Sequence, residues 1–223
     1  FFPNYFGVQR FGAVRPITHI VGEKIVQGDY EGAVLDYLTL GSPNFAGHEG
    51  REYLLETKDF KKSLERFPRH MLFERQLLGH LSRNEGDYTG AILQLPESLS
   101  KMLVHGYQSL IFNKVLDMRI KEGIDACLPQ IGDYIMPADG YGGPDQRVTI
   151  EVTERNQSKL SKRCSEGKAW VAGLLPGANS NFSKGRQGEL EKEVMNDFRV
   201  KFKDFIIDDI PELSSYGMYR PLF

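Results

Sequence analysis

Apolar residues recur at helical spacing through the first half of the chain and give way to alternating or β-branched runs in the second. Ile17, Ile20, Val21, Ile25 and Val26 predict a short helix that Gly28 closes. Asp29 then reads as the N-cap of a helix over 30–38 that turns Ala33, Val34, Leu35 and Leu38 inward. The phrase Gly-Asp-Tyr-x-Gly-Ala-aliphatic-Leu occurs at 28–35 and again at 86–93, so two similar cap-and-helix units are expected in one bundle. Asp29 and Asp87 are in this reading caps rather than catalytic groups. Residues 41–57, punctuated by Gly41, Pro43, Gly47 and Gly50, are expected to form a loop. The stretch 58–83 reads as largely helical, with Met71, Leu72, Leu77, Leu78 and Leu81 as its apolar face.

Pro96 opens the longest predicted helix, from Glu97 to about Ile120. Leu99, Met102, Leu103, Gly106, Leu110, Asn113 and Leu116 form its expected stripe. A glycine inside a helix costs up to about 1 kcal/mol relative to alanine, so Gly106 implies the close approach of a neighbour. Gln108, Ser109 and Asn113, beside the stripe, are expected to satisfy nearby backbone groups. Beyond Gly123 the period changes. Residues 133–136 and 147–152 predict strands around a Gly-rich loop over 137–146. That loop lacks a strand-to-helix context and a P-loop lysine, so it is not a nucleotide site. A helix is expected from Thr153 or Glu154 to about Ser165, a strand over 170–177, a polar loop over 180–188 and a helix over 189–198. The last residues, 217–223, return as an extended segment. The fold class is therefore α+β: a mostly helical body with a small sheet.

Composition narrows the classes. The chain has 223 residues, 40% hydrophobic and 26% charged, as in an ordinary globular protein. A net charge of −2 announces no global nucleic-acid field, so any such footprint must be local. Cys127 and Cys164 show no metal-ligand spacing and fit a reducing cytoplasm. No apolar run approaches a membrane span, and no signal peptide is visible. Phe1-Phe2-Pro3 reads like the inside of a strand entering a turn, and Arg220-Pro221-Leu222-Phe223 stops without a polar tail. With no initiator Met, the sequence is expected to be a piece of a longer protein.

Two stretches carry candidate chemistry. Residues 2–12 combine four aromatic rings, an Asn, a Gln, an Arg and two glycines. Rings of this kind stack on bases, and the polar groups can bond a base or a phosphate. A buried strand would explain the aromatics but not the interleaved polar residues. The second stretch is basic: Lys58, Lys61, Lys62, Arg66 and Arg69 outnumber the acids near them. It is either a solvated helix face or a contact surface for RNA phosphates.

Asn4-Tyr5-Phe6-Gly7-Val8-Gln9-Arg10-Phe11-Gly12 closely resembles the N-Y-F-G-x-Q-R-F-G signature of the TruD family of tRNA pseudouridine synthases. His105-Gly106-Tyr107-Gln108-Ser109-Leu110-Ile111-Phe112-Asn113 resembles the family's H-A-Y-Q-S-x-L-F-N segment. Both occur in the family's order, and the likeness covers the chain, most closely to the archaeal branch. The resemblance implies an isomerase that converts a uridine of the tRNA D-arm, uridine 13 in the family, to pseudouridine. It implies tRNA as partner, no cofactor, no metal, no membrane, a cytoplasmic location and a monomer.

The resemblance also places Phe6 at the aromatic position lining the uracil pocket and Asn4 close to the catalytic carboxylate. Gln9 and Arg10 become candidates for substrate contacts, and Gln108, Ser109 and Asn113 would help hold a domain junction. The family's catalytic Asp stands in a Gly-Lys-Asp-like motif upstream of N-Y-F-G and is expected outside this chain. Residues 1–28 and 216–223 then read as fringes of the catalytic domain, and 29–215 as the family's inserted domain. Two other readings stay open: an inactive α+β RNA-binding or structural module, and a helical protein-interaction domain.

Overall fold

The computed structural model describes residues 2–223. In chain order these form α1 (Val8–Phe11), α2 (Thr18–Val26), α3 (Tyr30–Thr39), α4 (His48–Thr57), α5 (Phe60–Arg66), α6 (Leu72–Leu81), α7 (Tyr88–Ile92) and α8 (Glu97–Lys121). There follow β1 (Tyr134–Pro137), β2 (Ile150–Glu151), α9 (Gln157–Ser165), β3 (Ala169–Leu175), α10 (Gly185–Asp197), two 3-10 turns (Phe202–Phe205 and Pro211–Leu213) and β4 (Met218–Pro221). The class is α+β, as the patterning predicts. Compactness divides the chain into two units: residues 7–107 with 206–214, and the chain up to Phe6 with 108–205 and 215–223. Such units describe packing, and family domains need not coincide with them. The strand reading of Phe1–Pro3 falls partly on Phe1, outside the described residues; Phe2 and Pro3 form no strand.

The first unit is helical. Asp29 and Asp87 cap α3 and α7, accepting the Gly32 and Gly90 N–H groups at 2.8 Å each. A Cβ at Gly32 or Gly90 would lie 2.1 Å from the capping carboxylate, so a larger residue there makes the Asp side chain shift. Ala33 and Ala91, one residue further, are both fully buried. The repeated phrase thus encodes one local structure twice, and α3 packs on α7. Of the loop expected over 41–57, only 41–47 is irregular, and 48–57 is helix. Gly47, at φ +79°, is the N-cap of α4, and Gly50 lies inside that helix, where a Cβ would come within 2.7 Å of the Phe67 ring. These glycines serve a cap and a close contact, not chain breaks. The carbonyls near the end of α3 are taken by two guanidinium groups, Arg15 on Tyr37 and Leu40 and Arg51 on Leu38. Glu74 accepts from both arginines, at 2.9 and 3.0 Å.

Within this unit the first half of α8 lies against α2. A Cβ at Gly22 would be 2.0 Å from the Leu103 carbonyl oxygen, and one at Gly106 would be 2.8 Å from the Thr18 methyl. Gly106 therefore has the close neighbour its position predicts. Of the predicted stripe of α8, Leu103, Gly106 and Leu116 are buried whereas Met102 is exposed, and Val104 and Tyr107, outside that stripe, are buried as well.

The second unit holds the sheet, in the order β2-β1-β3-β4 with every neighbour antiparallel. One face, carrying Ile135 and Val171, packs with Phe112 and Leu116 of α8, Leu160 and Cys164 of α9, and Leu222. Arg119, 1% exposed, grips both oxygens of Asp133 at 2.8 Å, and also bonds Gln187 and the Asp125 carbonyl. Buried charge is tolerable because each donor finds an acceptor. Three boundaries differ from the sequence reading by more than two residues. β2 is two residues long because the Asp145 carboxylate holds Arg147 in a turn, through its backbone N–H and its guanidinium. α9 starts at Gln157, since Asn156 accepts the Thr153 N–H and keeps 153–156 in a turn. α10 starts at Gly185, at φ +56°, four residues earlier than expected. Among the described residues no helix is long and apolar enough to cross a membrane.

Candidate base-binding site

Phe6 is held by its own peptide. Its N–H donates to Asn113 Oδ1 at 2.9 Å, and its carbonyl accepts from Asn113 Nδ2 at 3.0 Å. One amide side chain from the middle of α8 so satisfies both polar groups of one residue, the pattern of a backbone partner supplied by a side chain. The ring meets Phe112 edge-on, centroids 5.5 Å apart at 78°. The Arg220 guanidinium lies over it, 3.9 Å from the centroid, in the geometry of a cation–π contact.

Asn4 belongs to the same cluster. Its backbone N–H donates to Leu222 O at 2.8 Å and its side-chain amide to Pro221 O at 2.9 Å, while its Oδ1 accepts from Arg220 at 2.7 Å. Each polar atom of the Asn4 amide thereby uses one of its two bonding positions. Gln108 and Asn113 satisfy backbone, as expected: Gln108 Nε2 donates to Pro176 O at 2.5 Å and to Ser215 Oγ at 2.7 Å. Arg220 is the residue sequence reasoning missed. It stands 216 positions from Asn4, beyond any local pattern, and reads from sequence as no more than the residue before a proline.

The motif then passes into the other unit. Gly7 is the extended N-cap of α1, and Gly12, at φ +104°, turns the chain so tightly that a Cβ there would lie 2.1 Å from Arg15 O. Gln9, exposed, and Arg10, half-buried, line an open cavity of about 480 Å³ with Gly7, Val8 and Met102. Desolvation of its ring, reinforced by the Arg10 and Lys101 charges, holds the His105 pKa below its ordinary value.

The basic stretch occupies an exposed surface of the helical unit. Lys62 pairs with Asp59 at 3.2 Å, Arg66 with Glu49 at 3.0 Å and Lys58 with Glu31 at 3.9 Å. The Arg66 guanidinium also lies 4.2 Å from the Tyr53 ring centroid. Lys61 and Arg69 are exposed and make no ion pair with any described residue. Among the described residues no group of three His, Cys, Asp or Glu gathers as a metal site would require.

The family model of tRNA pseudouridine synthase D (TruD) matches residues 1–223. A Methanosarcina barkeri protein named "Probable tRNA pseudouridine synthase D" is 39% identical over 222 residues, 99% of this chain and 51% of that one. One of the same name from Thermoplasma volcanium is 39% identical over 220 residues, 98% of this chain and 53% of that one. A crystal structure from Methanosarcina mazei, of a protein likewise described as a tRNA pseudouridine synthase D not yet proven, superposes with a TM-score of 0.94 at 38% identity. It covers 99% of this chain and 51% of that one. The chain spans about half the length of the curated relatives it matches.

Proposed function

The chain belongs to the TruD family, and on that premise we propose that it forms part of an enzyme isomerising a uridine in tRNA to pseudouridine. The observation that carries this is the Phe6 cluster: an aromatic ring locked at its peptide by Asn113 and backed by Arg220. The reaction is an isomerisation that needs no added group. The bond from the ribose C1′ to uracil N1 breaks, the uracil turns, C1′ bonds to C5, and the C5 proton departs as N1 gains one. An Asp carboxylate acts at the sugar carbon or as base, and the uridine must leave its stack to reach it.

In this scheme Phe6 holds the flipped uracil while it turns, a stack worth roughly 1–3 kcal/mol. Asn4 keeps one donor and one acceptor position for the substrate or the carboxylate, and Gln9 and Arg10 contact RNA from the α1 cavity. The carboxylate comes from a part of the full-length enzyme outside this chain; Asp29, Asp59 and Asp87 are engaged as helix caps. Residues 29–215 serve as the family's inserted domain, with Lys58, Lys61, Lys62, Arg66 and Arg69 facing RNA phosphates. The target is a D-arm uridine and the setting cytoplasmic.

A pseudouridine assay on unmodified tRNA tests this. Full-length enzyme is expected to turn over, and Phe6→Ala to lose about 5- to 100-fold in kcat/KM, the factor that one lost stack implies. Wild-type activity in Phe6→Ala refutes the pocket role of Phe6. Turnover by residues 1–223 alone refutes the placement of the carboxylate elsewhere.

A further inference from the structure

The sheet has a second face, opposite the one that carries Ile135 and Val171. Strand register puts Tyr134, Ala172, Leu174 and Tyr219 together on it. The Tyr134 and Tyr219 rings lie 5.0 Å apart at 48°. Beside them opens a cavity of about 450 Å³, lined chiefly by Tyr134, Asn179, Asn181, Tyr216, Met218 and Tyr219, with no charged residue in its wall. Tyr216 is 59% exposed and Met218 48%. Tyr216 and Met218 thus stand open beside two side-chain amides.

The wall is stiff. The chain at 177–180 is stitched to 215–217 by Ala178 N–H on Ser215 O at 2.8 Å and Asn179 N–H on Tyr216 O at 3.2 Å. Ser180 Oγ accepts the Gly177 N–H at 2.9 Å. Gly177 admits no side chain, since a Cβ would lie 2.0 Å from the Gly217 nitrogen. Burial, then the neighbouring Tyr134 and Glu191, raises the Tyr219 pKa, so its hydroxyl stays a neutral donor.

We infer that this cavity is a second base subsite, taking one unstacked nucleobase of the RNA whose target uridine the Phe6 cluster holds. Aromatic rings supply a stacking face, as every base has one. The Asn179 and Asn181 amides offer both donors and acceptors for a heterocycle edge. A wall without charge suits a neutral base and leaves the phosphates outside. The assignment rests on the RNA reading above and deepens it.

The test uses the full-length enzyme and a tRNA transcript with 4-thiouridine in place of uridine. Irradiation is expected to cross-link a thiouridine to Tyr216, Met218 or Tyr219. Tyr216→Ala should weaken tRNA affinity by about 5- to 100-fold, the range for one lost base stack. It should leave the slope of affinity against salt unchanged, because no phosphate contact is removed. Tyr219→Phe, which keeps the ring, should bind nearly as wild type; equal loss in both variants, or a changed slope, overturns the stacking role. Unchanged affinity in Tyr216→Ala with no cross-link to 216–219 overturns the subsite even while wild type makes pseudouridine. Wild-type enzyme that neither binds nor modifies tRNA overturns the RNA reading itself.

Discussion

The Phe6 cluster and the basic surface around α5 are built in opposite ways. At Phe6 the ring is positioned by Asn113, which bonds both polar groups of the Phe6 peptide from one helix, and by Arg220 of a distant strand, which lies over the ring. Around α5 the helix ends are fixed by caps, while the cations lie exposed and three of the five bond acids of the same protein. The first arrangement supplies position; the second supplies charge that screening and self-pairing blunt. A reacting base needs position more than it needs charge.

Substitutions can break that contrast, beginning where the effect should be greatest. Asn113→Ala removes both bonds to the half-buried Phe6 peptide. Full-length enzyme should lose about 1–3 kcal/mol of stability, seen in a urea titration, and should lose turnover beyond what the lost folded fraction explains. Turnover that tracks the folded fraction alone would make Asn113 a structural residue. Next comes Arg220→Met, which keeps apolar bulk over the ring but drops the bond to Asn4. A roughly tenfold fall in kcat with KM little changed is expected from the loss of one charge-assisted bond; a pure KM effect would place Arg220 in RNA binding instead. Replacing Lys61, Lys62 and Arg69 together by Ala should flatten the salt slope of tRNA affinity by up to about 2.7, given roughly 0.7–0.9 per phosphate contact. An identical slope would leave the surface merely solvated.

The smallest effects lie in the caps. Backbone N–H donors first, then a neighbouring Lys or His, hold the Asp29, Asp59 and Asp87 carboxyls below their ordinary range. A carboxyl depressed on folding stabilises above its unfolded pKa and ceases to do so as pH falls through the folded value. His19, lowered by burial, adds an earlier loss, beginning as pH falls below about 6.5. Thermal midpoints should therefore decline slightly from pH 7 to 5 and more steeply below 4. Asp29→Ala should cost about 1 kcal/mol at pH 7 and shallow the acid limb; an unchanged limb would show that its cap bond is not what titrates.

What could be read in the sequence was whatever acts over three or four residues. The Asp29 and Asp87 caps, the closure at Gly28 and the span of α8 follow from local bonding and spacing, and all stand in the structure. The Asn4-to-Gly12 and His105-to-Asn113 signatures led to the family. Local reading failed wherever a distant partner decides the outcome. Gly50 looks like a breaker until the Phe67 ring against it is known. The β-branched run at 147–152 looks like a strand until Asp145 turns it. Arg119 and Arg220, the one buried with Asp133 and the other laid over Phe6, carry no periodic mark because their partners come from other elements.

The crossing of α2 with α8 has a consequence for how such a protein can drift over generations. At Gly22 a Cβ would meet the Leu103 carbonyl oxygen at 2.0 Å, so replacement there forces α2 from α8, whereas at Gly106 it would meet the Thr18 methyl at 2.8 Å, and the family's H-A-Y-Q-S-x-L-F-N segment carries Ala at that position. Gly79, within α6, has nothing within 4 Å of where a Cβ would stand. An alanine at Gly79 should be accepted or even favoured, since glycine inside a helix is itself unfavourable. The same amino acid is thus immovable at Gly22 and replaceable at Gly79, and variation among descendants of this chain should gather at Gly79 while Gly22 persists.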